Sequence, residues 1–482
     1  MAGIGVKLNK IYRKKTLLAH LAGFAYSTII TIAPMIIIMI TIVIMEKLLG
    51  YEQVSYARRS LFSCTVLYIF IFALLAASPF NAVLSRFMSD VIYQERYGDI
   101  MPCFYTGLWI NIVFGAIFGI PFVIHEFLTK QVDPMFIFVS YCGYFALILV
   151  FYTMLYLSIC KDYTKITWFY FVGMLVSVGS SLLLVKLCHM EIVFGMLLSL
   201  VIGFLVVAIL EIAQVKNYFH ENTRAYLKVL PYFKDFWPLI ISNFLYVCGL
   251  YVHNFVFWTS DLRMEVVDTF VCAEPYDMAT FLALVTNFTS TVIFISNVEL
   301  HFHQRYKAYS ESVIGGRLSD IENAKSRMFG QLSTELSDLT RIQFIISVVI
   351  FLIFIVCLPM IGIAGLPLQI YPCLAAGYFV LFIMYGELIF LYYFNDLSGA
   401  VITAGGFFIT TIIGALISMH FSTIWYGMGL FVGAFVGWMI GYFRLRWVER
   451  HMDIHIFCRG NLMKKGRGNR PSDRVYTKEG LS

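Results

Sequence analysis

The chain has 482 residues, 60% of them hydrophobic and 13% charged, with a net charge of +6. Soluble domains carry about a quarter of their residues as charged side chains, so an ordinary soluble fold is excluded. A membrane β-barrel would need short alternating segments, which the sequence lacks, and the apolar residues gather instead in blocks of about 20, the length that crosses a bilayer as a helix.

In chain order the apolar blocks predict twelve transmembrane helices: Leu17–Met45, Leu61–Met88, Pro102–Leu128, Pro134–Ile159, Thr164–Leu187, Ile192–Val215, Phe236–Trp258, Tyr276–Val298, Ile342–Ile363, Leu366–Tyr393, Ala400–His420 and Ile424–Tyr442. The first is too long for a signal-peptide core and is followed by Glu46-Lys47 rather than a cleavage site, so it reads as a retained helix. The basic connector Lys216–Lys234 separates two sets of six, predicting lobes over 1–225 and 226–450 and a basic tail over 451–482. Each half opens on a charged lead-in, with Lys7, Lys10, Arg13, Lys14 and Lys15 in the first and Lys228, Lys234 and Asp235 in the second. A span with proline and polar residues follows in both (Pro34 with Ser27, Thr28 and Thr31; Pro238 with Asn243, His253 and Asn254). Matching halves of this kind are the pattern of a duplicated transporter.

Placing both termini in the cytoplasm puts 29 of the 35 Lys and Arg residues on the inner side and six outside, as insertion favours. Arg58 and Arg59 are the discordant pair. The inward loop 299–341 contains an amphipathic segment, Ser319 to Gln343, with Ile321, Met328, Leu332, Leu336 and Leu339 at helical spacing. It reads either as a helix resting on the membrane surface or as a dock for a cytoplasmic partner. The tail from Arg444 carries ten Lys or Arg residues, a topology anchor suited to anionic lipid. Among the ten cysteines, Cys64, Cys142, Cys248 and Cys357 lie in apolar blocks as small hydrophobes. Cys188 and Cys272, both placed near the outer face, are a candidate pair whose separation the sequence does not set.

No catalytic constellation emerges: the aqueous segments hold no nucleophile elbow, zinc-binding helix motif, Walker loop or paired-carboxylate motif. The chain therefore reads as a non-enzyme without metal or cofactor, and nothing in it points to nucleic acid. His301 and His303 stand two apart, poor spacing for two ligands on one helical face. The polar residues inside the spans carry more information. An acidic cluster, Asp261, Glu265, Asp268, Glu274 and Asp277, surrounds Pro275 and leads into the eighth span. There Asp277, Thr280, Asn287 and Thr291 fall within an arc of about 80° at 100° per residue. Such a face is either a lining or a helix–helix hydrogen-bond seam. Glu387, inside the tenth span, would cost about 2.5–3.5 kcal/mol unpaired, so it should pair, protonate or face water. Glu211 on the sixth span is close enough to Lys216 to reach the inner interface. Ser78-Pro79-Phe80-Asn81 with Arg86 should break the second span near its inner end, as a gate or as a structural kink.

Three features carry a resemblance: the start Met1-Ala2-Gly3-Ile4-Gly5, the Ser78-Pro79-Phe80-Asn81…Arg86 end of the second span, and Tyr276-Asp277…Phe281…Ala283 at the head of the eighth. In this order and spacing the chain resembles, over its whole length, the PelG family of transporters from bacterial Pel exopolysaccharide systems. The resemblance implies a multidrug/oligosaccharidyl-lipid/polysaccharide flippase architecture, in which two six-helix lobes enclose a central cavity lined largely by spans one, two, seven and eight. It also implies a bacterial cytoplasmic-membrane location, a PelF-like glycosyltransferase and PelD-like and PelE-like membrane scaffold partners. The implied cargo is an amino-sugar polysaccharide, partly deacetylated and cationic, which an acidic mouth of Asp261, Glu265 and Asp268 would attract. The expected pathway then comprises Asp277, Glu274, Tyr276, Thr280, Asn287, Thr291, Asn243, Asn254, Ser27, Thr31, Asn81 and Arg86. Two alternatives stay open. One is alternating-access flipping of a lipid-linked oligosaccharide or cation-coupled drug export, with Glu387 as the coupling carboxylate. The other is a non-transporting scaffold of a polysaccharide synthase.

Overall fold

Backbone groups in hydrocarbon must be satisfied within their own segment, which favours helices. The computed structural model, which describes residues 17–129, 131–160, 162–267, 270–297, 302–360 and 362–452, has twelve long ones. They are α1 (Leu17–Leu49), α2 (Tyr56–Tyr93), α3 (Ile100–Thr129), α4 (Pro134–Ile159), α5 (Tyr163–Leu182, continued by a π turn, Leu183–Leu187), α6 (Ile192–Tyr218), α7 (Trp237–Phe257), α8 (Glu274–Asn297), α9 (Leu318–Met360), α10 (Leu366–Tyr393), α11 (Leu397–Ser418) and α12 (Met428–Arg450). Among the described residues ten of these twelve, all but α1 and α8, are long and apolar enough to cross a bilayer.

The packing shows the duplication that the sequence only suggested. In the first lobe α1 packs on α5, α2 on α3 and α4, α3 on α4, α4 on α6 and α5 on α6. Adding six to each number reproduces the main pairings of the second lobe: α7 on α11, α8 on α9 and α10, α9 on α10, α10 on α12 and α11 on α12. The lobes meet chiefly through α2 against α7 and α1 against α8, two contacts that exchange under the same shift. Helices α3 and α9 take corresponding peripheral places and turn large apolar side chains outward, such as Trp109, Ile117 and Val356. In the second lobe, glycines recur every fourth residue on α12, and small residues let helix backbones approach closely in lipid. A Cβ at Gly433 would lie 2.0 Å from Thr411 Oγ1, and one at Gly429 2.3 Å from the Ala415 nitrogen.

Side-chain ties join segments assigned to the same side of the membrane. Arg58 with Glu191, Tyr56 with Glu274 and Thr423 with Gln369 lie at one end. Asp99 with Lys228, Asp162 with Tyr218 and Asp396 with Arg444 lie at the other, basic end. The discordant Arg58 is offset by Glu191 at 3.2 Å. Asp396 also caps α11, accepting from the Gly399 N–H at 3.3 Å. Burial alone would raise its carboxyl pKa, but the Arg444 guanidinium at 2.5 Å, with Ser398 and Gly399, holds it below the ordinary carboxylate value.

Several expectations are corrected. The second span does not break at Pro79: α2 runs through it to Tyr93. Proline leaves the Leu75 carbonyl without its helical donor, and the Ser78 hydroxyl, 3.3 Å away, supplies one. The segment 319–343 is not a separate helix: it is continuous with the ninth span as one 43-residue helix, about 64 Å long at 1.5 Å per residue. The chain itself covers its apolar stripe: Met328, Phe329, Leu332 and Leu339 are buried, and Phe329 stacks on Phe394 at 5.4 Å. A preceding helix, His303–Gly315, packs against it. Between α7 and α8 stands a strand pair absent from the sequence reading, β1 (Met264–Val267) antiparallel to β2 (Phe270–Cys272). Cys272 is buried there while Cys188 is exposed, and the thiol beside Cys272 is Cys64. The first sixteen residues, Asp268, His301 and the tail from 453 lie outside the described residues, as do the side chains of Ser27, Thr31 and Thr291.

Candidate functional site

Four of the expected pathway residues on α7 and α8, Asn254, Tyr276, Asp277 and Thr280, join His253 and Trp258 in a network at the non-basic end of the second lobe. Pro275 and two acids, Glu274 and Asp277, occupy the first turn of α8, a sequence suited to a helix start. Asp277 accepts from the Ala273 N–H at 3.0 Å, from Asn254 Nδ2 at 2.7 Å and from Trp258 Nε1 at 3.0 Å. It thereby brackets the start of α8 to the end of α7. Asn254 also donates to Thr280 at 3.3 Å. Tyr276 is fully buried, stacks on Phe257 at 4.0 Å and shares a hydrogen bond with His253 Nδ1 at 2.9 Å. Two buried atoms of this network, His253 Nε2 and Asn254 Oδ1, have no hydrogen-bond partner.

The described members of the acidic cluster differ in their surroundings. Asp261 is exposed, Glu265 pairs with Arg263 at 2.6 Å, and Glu274 accepts from Tyr56 of the other lobe at 3.0 Å. Farther along α8 the polar stripe divides. Asn287 donates to the Ala375 carbonyl at 3.0 Å and accepts from Ser347 at 2.7 Å, tying α8 to α10 and α9. Thr286, which the sequence reading passed over, meets Tyr371 at 2.8 Å. The side chains of Thr280 and Asn287 are therefore engaged in interhelical seams. Gln343 and Ser347, one turn apart on an otherwise apolar stretch of α9, were the available sign of this seam.

Asn243, Asn81 and Arg86 lie on the helices of the lobe interface. Asn243 on α7 donates to the Ser78 carbonyl at 2.5 Å, across the lobes at the proline site of α2. Arg86 stands over the Phe236 ring at 5.4 Å and 3.8 Å from Asp90. Asp90 in turn accepts from Tyr232 at 3.2 Å. Asn81 Oδ1 is buried without a partner.

A cavity of about 350 Å³ opens beside this interface, between α2, α3 and α4 of the first lobe and α7 and β2 of the second. The resemblance implied a cavity lined by spans one, two, seven and eight; among the described side chains this one takes lining from spans two and seven and none from α1 or α8. The polar side chains of α8 are turned into seams of its own lobe. Aromatic rings dominate the wall, among them Tyr68, Phe72, Phe118, Phe122, Tyr144 and Phe244, with Thr65 and Ser140 as hydroxyls and, among the described residues, no charged side chain. Among the described side chains, none of the expected pathway residues lines it. A usable signal was the run Phe114, Phe118, Phe122, which puts aromatics on one face of α3.

Each lobe also buries a carboxylate. Glu387 on α10 lies against Gly441 of α12, where a Cβ would come 2.5 Å from its Oε2, an oxygen without a hydrogen-bond partner. Glu211 does not reach the interface: it is fully buried and accepts from Thr153 of α4 at 2.5 Å, with Oε1 unpartnered. Both stand about two turns from the basic end of their helices. Among the described residues no three His, Cys, Asp or Glu side chains gather as a metal site.

A family model described as "PelG: Putative exopolysaccharide Exporter (EPS-E)" matches residues 1–457. No curated protein matches the chain in sequence. Similar solved structures include the MATE transporter ClbM in complex with Rb+, with a TM-score of 0.58 at 11% identity over 89% of this chain and 96% of that one. An outward-facing multidrug resistance MATE family transporter of the MOP superfamily gives 0.57 at 11% identity over 88% and 96%. A MOP superfamily transporter from Pyrococcus furiosus Vc1 (DSM3638), described as having a binding pocket of reverse polarity, gives 0.57 at 13% over 89% and 96%. At such identities the likeness is one of fold.

Proposed function

The chain belongs to the PelG family of exopolysaccharide exporters, and we propose that it passes a growing cationic amino-sugar polysaccharide between its two lobes across the bacterial cytoplasmic membrane. In this reading both termini and the basic end are cytoplasmic. A PelF-like glycosyltransferase elongates the polymer there, and PelD-like and PelE-like proteins hold the assembly. The helical pair formed by His303–Gly315 and the first part of α9, which extends from the ninth span on the basic side, is the proposed dock.

The observation that carries the reading is the aromatic cavity at the lobe interface, in a chain whose family is that of exporters. Aromatic faces attract cations, most strongly away from water, and no Lys or Arg among the described lining residues opposes that attraction. Ser140, half-buried on this wall, provides the test. Ser140→Lys should reduce secreted polymer while Ser140→Glu preserves it, at equal amounts of protein in the membrane. Equal secretion from the two variants would refute a cationic cargo at this wall.

A second reading has its own observation, the unpartnered oxygens of Glu387 and Glu211. Burying a charge without a partner is costly, so such groups suit a site that takes up a proton or other cation. Export or flipping coupled to an ion gradient would then stop when the gradient is collapsed in vesicles. Synthase-driven export would continue.

A further inference from the structure

The strand pair between α7 and α8 belongs to the second lobe, yet it is fastened to α2 of the first. Tyr56, Cys64 and Tyr68 are spaced by multiples of four along α2 and share one side of it. Tyr56 reaches Met264 Sδ at 3.4 Å, and Met264 stands opposite Cys272 in the strand pair. Tyr68 donates to the Val271 carbonyl at 2.6 Å and accepts from the Val271 N–H at 3.0 Å. Cys64 thus lies between two contacts whose far ends bracket Cys272, and the two side chains meet. Both are free thiols and both are buried. Neither lines the cavity.

We infer that Cys64 and Cys272 form a redox latch, whose disulfide fastens α2 of one lobe to the strand pair of the other and whose reduction frees the lobes to part. The oxidant is a disulfide, such as glutathione disulfide, on the non-basic side; that this side faces an oxidising compartment rests on the export reading. When the lobes part, one cysteine, as thiolate, attacks a sulfur of the oxidant and releases one thiol. When they close, the second cysteine attacks the mixed disulfide at the protein sulfur and expels the other thiol. The two cysteines lose two electrons and two protons, and the oxidant gains both pairs.

The test uses the full chain in membrane vesicles with a protease site inserted between His220 and Glu221, both exposed. After treatment with glutathione disulfide and cleavage, the two halves should migrate together without reductant and separate with dithiothreitol. Cys64→Ser and Cys272→Ser should each separate under both conditions. Separation of the oxidised wild-type halves, with exposed Cys188 demonstrably modified, would overturn the proposal. In cells, oxidant should stop polymer secretion by the wild type, dithiothreitol should restore it, and Cys64→Ser should secrete throughout. Joined halves with undiminished secretion would overturn the latch as a restraint. A failure of the export reading looks different: polymer secretion would not depend on the chain in either redox state, while the gel would still report the disulfide.

Discussion

Residue by residue, hydrogen-bond partners decide what a polar side chain inside this protein does. Asp277 heads the α8 stripe in sequence, yet three donors make it a bracket between two helices. Asp396 gives the clearest quantitative expectation, because its side chain is only 3% exposed and its guanidinium partner is fixed. Removing one partner of a buried pair costs about 3–5 kcal/mol, so Asp396→Asn should lower the melting temperature markedly. The pH dependence has a definite sign. A carboxyl whose folded pKa is depressed contributes fully above its unfolded pKa, about 4 for Asp, and loses that contribution as the pH falls toward the folded value. Melting of the purified protein should show an acid-side loss of stability that Asp396→Asn diminishes.

At the scale of elements, close helix contact rests on absent side chains. At Gly433, α12 approaches Thr411 of α11 more closely than any Cβ allows. Overpacking a tight core costs about 1–3 kcal/mol and sometimes more, so Gly433→Leu should reduce thermal stability and Gly433→Ala should do so less. Gly330, in the exposed part of α9 with open space around it, is the control. Alanine there should stabilise by about 0.5–1 kcal/mol, since glycine is the poorer helix former. The same reasoning explains α9. Periodicity identified its apolar stripe correctly, but a stripe does not say whether lipid or protein covers it. One covering residue, Phe394, follows the end of α10, distant in sequence.

For the whole molecule, the interface between the lobes is where the export reading places the cargo. Asn243 reaches across it to the carbonyl beside the α2 proline. Asn243→Ala should cost about 1 kcal/mol, the net value of such a bond. Asn243→Asp should cost more, because it sets a second acceptor against the Ser78 carbonyl. Comparing the melting temperatures of the two variants checks this order, and equal values would show that the contact carries no weight.

The sequence alone determined the all-helical membrane class and the order of the long helices, and it supplied the expectations of their sidedness and of two sets of six. Each follows from local information: the length of an apolar run, the placement of Lys and Arg, and a repeat in that pattern. It also singled out Asp277, Asn254, Asn243 and Glu211 as polar residues inside the spans, and Glu387 as one that must pair, protonate or face water, since burying a polar group without a partner is costly. Only the tertiary structure decided what those partners are. Helical periodicity fixes the side of a helix on which a residue lies, not the helix opposite, so Asn287 is a seam residue because α9 and α10 stand there. For the same reason Cys272 meets Cys64 rather than Cys188, and the aromatic cavity exists only because β2 and α7 close over α2, α3 and α4.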